Sequence, residues 1–313
     1  MRKVLIALFA VAAFAPPAAA QDFINVLTGG TSGVYYPLGV ALSKLYGDNI
    51  AGAKSSVQAT KASVENLNLL QQGKGEIAFS LGDAVSLAWA GNADAGFPAK
   101  LDKLRGIAAL YPNYIQIVAS AESGIKTLAD LKGKRLSVGA PKSGTELNAR
   151  AVFKAAGLTY DDLAKVEYLA FAESVDLMKN RQLDATLQSA GLGVASIRDL
   201  AASIDIVVVP IPADVVAAIG DPAYIAGTIP AGTYGKQEAD VPTAAITNIL
   251  VTHSDVGDDL AYQMTKLMFD NLPALEAAHV AGKGIRLERA LSSMPIPLHP
   301  GAERYYKEQG VMP

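Results

Sequence analysis

Short apolar stretches alternate along the chain with segments whose apolar residues recur every three or four positions. The short stretches read as strands at 24–28, 76–80, 104–110, 114–119, 135–139, 166–170, 184–188 and 205–209. Helical spacing marks 34–46, 64–72, 83–91, 145–156, 174–181 and 193–202, then 257–271, 273–281 and 301–309. This alternation predicts an α/β fold with largely parallel sheets.

Two segments depart from the pattern. Residues 104–120 are extended almost throughout, broken only at Tyr111, Pro112 and Asn113, and 244–252 form a second long apolar run. A chain that leaves one lobe along the first and returns along the second makes a hinge of two crossing segments. The expected division is lobe one at 21–119 plus 246–313 and lobe two at 120–245.

Strand 24–28 runs into Gly29, Gly30, Thr31, Ser32 and Gly33 before a helix begins. Free backbone N–H groups at a helix start are a ready site for an anion, and two hydroxyls add to them. Val34, Leu38, Leu42 and Leu45 follow at helical spacing, with Pro37 in the first turn, where its missing N–H matters little. A second junction repeats this logic with Gly139, Pro141, Lys142, Ser143, Gly144 and Thr145. Ser143 or Thr145 is either a ligand contact or a helix N-cap. One such turn in each lobe points to a shared carboxylate ligand.

Further candidates lie where strands end or helices begin: Ser63 with Gln58 and Thr60, then Asp83, Gln188 and Ser189. For Ser63 and Asp83 the alternative is again helix capping. Of Tyr35 and Tyr36, one is expected in the core and the other against a ligand. Lys142 sets a full positive charge beside a helix N-terminus, which is unfavourable alone and favourable once an anion is bound. It therefore points to a dicarboxylate, the alternative being a solvated loop lysine.

Composition removes several classes of function. There is no cysteine, which excludes disulfides, thiol catalysis and thiolate metal sites. His253, His279 and His299 lack metal spacing, and neither a metal nor a cofactor is expected. Arg2 and Lys3, an apolar run at 4–14 and three alanines at 18–20 read as a signal peptide over 1–20, cleaved near Ala20. Its loss moves the formal charge from −3 to −5, which argues against nucleic-acid binding. The 139–145 turn departs from a phosphate loop, because Thr145 stands where the lysine belongs. The 29–33 turn lacks the dinucleotide glycine spacing, and neither Ser32 nor Ser143 lies in a hydrolase elbow.

The run from Thr28 to Gly39 resembles the N-terminal signature of the TAXI solute-binding proteins, extracytoplasmic receptors of tripartite ATP-independent periplasmic (TRAP) transporters. The resemblance extends through 63–67, 131–135, 141–145, 230–235 and 240–243. It implies an α/β, two-lobed, type II-like periplasmic-binding-protein fold and a periplasmic, monomeric, non-enzymatic receptor. The implied ligand is a glutamate-like amino acid or a 2-oxoglutarate-like dicarboxylate, and the implied partner a TRAP permease. Carried over by position, Gly30, Thr31, Ser32, Gly33 and Tyr35 should meet the ligand from lobe one, and Ser143, Gly144 and Thr145 from lobe two. Asp83, able to pair with a ligand ammonium, and Gln188 are looser transfers. Lys142 and the 189–193 segment depart from the family pattern. The receptor of an ATP-driven importer is the alternative, and an exported serine hydrolase a remote one.

Overall fold

The structure, a computed structural model, describes residues 23–312. The signal peptide expected at 1–20 lies outside the described residues. The chain begins with β1 (Phe23–Leu27), α1 (Tyr35–Asn49), β2 (Lys54–Gln58), α2 (Ser63–Gln71), β3 (Ile77–Leu81) and α3 (Gly82–Ala90). In β1, Ile24, Val26 and Leu27 are buried, and the strand pairs in parallel with β2 and β3. Leu38, Leu42 and Tyr46 form the buried stripe of α1, one turn apart. Between them lies Gly39, where a Cβ would come within 2.3 Å of the Thr28 methyl, so the helix can lie this close only with glycine there.

Next comes β4 (Leu104–Ser120), one continuous strand through Tyr111, Pro112 and Asn113, where the sequence suggested a break. It is followed by β5 (Arg135–Ser137), α4 (Gly144–Ala155), β6 (Lys165–Glu167), α5 (Phe171–Lys179), β7 (Ala185–Ala190), α6 (Ala195–Ser203) and β8 (Ile206–Val209). Then α7 (Ala213–Ala218) and β9 (Ile225–Ile229) lead into β10 (Val241–His253). The chain closes with α8 (Asp258–Asp270), α9 (Leu272–Ala278) and α10 (Pro300–Glu308). Helices α8 and α9 pack on α1, and Tyr306 of α10 donates to the Ile107 carbonyl of β4 at 2.7 Å.

Among the described residues, ten strands form one sheet ordered β2-β1-β3-β10-β4-β7-β5-β6, with β8 on β4 and β9 on β10. Its two ends are parallel, as the alternation predicted. Its middle is not: β10 and β4 run antiparallel to each other and to β3, β7, β8 and β9. The expectation of a largely parallel sheet fails there because the two long strands pair side by side in opposite senses. The β4–β10 register slips between Thr247 and Ile249, opposite Pro112, where proline has no N–H to give the ladder. The slip frees Asn248, whose amide donates to the Tyr111 carbonyl at 2.8 Å.

Candidate functional site

A cavity with about 100 Å³ open to the centres of water-sized molecules lies where the two ends of the sheet meet. Its walls come from the loops that follow β1, β2, β5 and β6, each leading into a helix, with Leu81, Tyr111, Asn113 and Ser189 contributed by β3, β4 and β7. Four helix N-termini therefore converge: Tyr35 of α1, Ser63 of α2, Gly144 and Thr145 of α4, and Phe171 of α5 all line the cavity. Among the described residues, the backbone N–H groups of these five residues donate to no protein acceptor. Each terminus carries about half a positive charge. Among the described residues, the one charged residue in the wall is Lys61, which is exposed, and no acidic residue lines it. The wall offers donors and positive potential to something negative.

The helix starts of α2 and α4 abut across this space. A Cβ on Gly144 would lie 2.6 Å from Ser63 Oγ and 2.8 Å from Leu81 Cδ1. Beside them, Glu65 N donates to the Lys142 carbonyl at 3.2 Å. Ala62 in the wall and Lys142 at this contact both have positive φ, 70° and 62°, a region that costs a side-chain-bearing residue energy and persists where the surroundings impose it.

Of the candidate residues, Gly30, Gly33, Tyr35, Ser63, Ser143, Gly144 and Thr145 line the cavity. Ser143 is also the N-cap, its Oγ accepting from Glu146 N at 3.1 Å, so both readings of it hold together. Ser63 Oγ likewise accepts from Leu81 N at 3.1 Å. Tyr35 joins the core and the cavity at once. It stacks on Phe79 with centroids 5.1 Å apart and donates to Asn248 Oδ1 at 2.6 Å. Burial, with the nearby Asp83 charge, pushes its hydroxyl well above the usual phenol range.

Thr31, Ser32, Lys142, Asp83 and Gln188 do not line the cavity. Thr31 is exposed and Ser32 half-buried, because the turn closes through Gly33 N to the Gly30 carbonyl and presents its glycine backbone inward. Lys142 is exposed, and only its carbonyl meets the other half of the site. Gln188 points into the core, where its Oε1 accepts from Ser196 at 2.6 Å. Asp83, 1% exposed, accepts from Tyr224 at 2.6 Å and from Asn148 Nδ2 at 2.7 Å. Burial pushes its carboxyl up to about 6, and these two hydrogen bonds hold back a larger rise.

Lys61, Asn113 and Phe171 escaped the sequence reading. A lysine just ahead of the 64–72 helical pattern was a usable signal for the first. Nothing local marks the other two, since long-range strand pairing and helix packing carry them there. Among the described residues, no group of three or more His, Cys, Asp or Glu is placed to hold a metal ion. No described helix is long and apolar enough to cross a membrane.

The NMT1-like family pattern matches residues 26–310. The chain belongs to the NMT1-like family. Solved structures carry the same fold around this NMT1-like core. PhnD1 from Prochlorococcus marinus in complex with methylphosphonate aligns over 93% of this chain and 100% of its own, at 10% identity and a TM-score of 0.59. The alkanesulfonate-binding protein SsuA from Xanthomonas axonopodis pv. citri bound to MOPS aligns over 95% and 96%, at 15% identity and a TM-score of 0.52. A putative L-cystine ABC transporter protein from Listeria monocytogenes aligns over 86% and 98%, at 14% identity and a TM-score of 0.52. The NMT1-like chain thus has the periplasmic-binding-protein fold expected for it.

Proposed function

We propose that this NMT1-like protein is the periplasmic solute receptor of an importer, one that captures a small anion and delivers it to a membrane permease without converting it. The observation that carries this reading is the cavity itself: four helix N-termini and Lys61 face it, and no acidic side chain does. Preformed N–H groups bind a negative ligand without the cost of reorganising long side chains. MOPS and methylphosphonate, the molecules bound to two of the structural relatives, carry an anionic sulfonate and an anionic phosphonate. The lobes we assign are 21–119 plus 246–313 and 120–245, swinging about β4 and β10, the antiparallel pair that joins β3 on one side to β7 on the other.

The structural relatives favour an ATP-driven importer as the partner, through the ABC transporter protein among them. The TRAP permease is the second reading, carried by the glycine-rich signature at 28–39. Uptake by cells carrying either permease type together with this receptor separates the two. A thermal-shift screen of carboxylates, sulfonates and phosphonates against size-matched amines tests the reading itself. A ligand at a hundred times its Kd stabilises the folded state by about 2.7 kcal/mol, and only the anions should do so. Stabilisation by amines alone would overturn it. Small-angle scattering should show the radius of gyration falling on binding, or no change if the lobes do not move.

A further inference from the structure

Behind the cavity wall runs a chain of buried hydrogen bonds whose direction follows from one end. Asp83 and Tyr224 set it. Tyr224 gives its single proton to Asp83 Oδ2 at 2.6 Å, and the ionised carboxylate only accepts. Both oxygens therefore need a donor from Asn148, whose Nδ2 lies 2.7 Å from Asp83 Oδ2 and 2.8 Å from the Tyr224 oxygen. This turns the Asn148 carbonyl oxygen toward Ser189, which donates to it at 2.6 Å. With its proton committed, Ser189 Oγ accepts, and Asn113 Nδ2 donates to it at 2.5 Å. The Asn113 amide can point only one way.

Asn113 lines the cavity, and its Oδ1 receives no hydrogen bond from any described residue. Nor is that oxygen among the side-chain atoms sealed away without a partner, so it opens on the cavity. We infer that Asn113 Oδ1 is a fixed acceptor in a wall otherwise rich in donors, and that it selects anions carrying a second group able to donate, a hydroxyl or an ammonium. Asn148, Ser189 and Asp83 act through it as positioning residues. The inference rests on the anion-receptor reading and narrows it to hydroxy- and amino-substituted small acids.

A donor-free ligand would leave the acceptor buried and unpaired, which should weaken binding about tenfold. The test is calorimetry on matched sets: lactate and alanine against propionate, isethionate and taurine against ethanesulfonate, and 2-aminoethylphosphonate against ethylphosphonate. At least one set should show the donor-bearing members binding about tenfold more tightly than the donor-free one. Asn113→Ala should bring the members of that set to within about twofold. Ser189→Ala, which frees the amide to flip, should narrow the gap between the donor-bearing and donor-free members of that set. A general packing defect would weaken all members alike. Equal affinities within every set that binds, or selectivity that survives Asn113→Ala, overturns the inference and leaves the anion receptor standing. If no member of any set binds, the anion receptor falls and this inference with it.

Discussion

At the start of α4, Ser143 Oγ caps the helix, whereas at the start of α1 no side chain caps it and Thr31 and Ser32 stay out of the cavity. Deeper in, α4 sends Asn148 to the buried Asp83, while α1 sets Gly39 against Thr28. The two glycine-rich turns look alike as strings of residues. One is tied by side chains into the interior, and the other offers little beyond bare backbone. A hydroxyl near a helix start can thus serve the helix, the ligand or neither, and its spacing from the strand does not say which.

The largest expected effect tests the deep anchor. Asp83 titrates at about 6 in the folded protein against an ordinary 3.8, so between these values the folded state binds the extra proton. The contribution of Asp83 to stability should therefore be greatest below about pH 4, fall as pH rises toward 6 and level off above, by on the order of 3 kcal/mol. Asp83→Asn keeps an acceptor oxygen and should flatten that slope in denaturant titrations across this range. A slope unchanged in the variant means the carboxylate is solvated after all.

Next is the contact between the two halves. Gly144→Ala puts a methyl against Ser63 and Leu81, an overpacking worth about 1–3 kcal/mol, or roughly five- to 150-fold in affinity. At Gly30 a Cβ would meet nothing within 4 Å, and Gly30→Ala should bind nearly as wild type. Equal affinities for the two variants in calorimetry would remove the difference between the turns.

Smaller still, Ser143→Ala should lose the cap, at about 1 kcal/mol of unfolding free energy. Thr31→Ala and Ser32→Ala come last, each within about 0.5 kcal/mol in stability and with affinity unchanged. A tenfold loss at Thr31 or Ser32 would restore to the first turn the hydroxyl contacts that its family resemblance implies.

Much of this molecule is local, and the local part was legible. Strand-turn-helix units follow from apolar spacing and from glycine at the junctions, and the long extended runs at 104–120 and 244–252 correspond to β4 and β10. Where local signals were weak, elements were missed. The polar edge strand β2, KSSVQ, the glycine-containing β9 and the six-residue α7 carry too little periodicity to stand out.

By itself, then, the sequence determined the unit from which the protein is built and the turns that line the cavity, because hydrophobic period and turn chemistry act over a few residues. Tertiary structure alone decided that the middle of the sheet runs antiparallel and that four helix starts share one cavity. It also turned Asp83 inward and brought Lys61 and Asn113 to the wall. Strand pairing joins residues more than a hundred positions apart, such as Ala245 and Tyr114. The direction of a buried hydrogen bond is set by whichever partner that pairing delivers. The run from Asp83 through Asn148 and Ser189 to Asn113 has no counterpart in any local pattern of the chain.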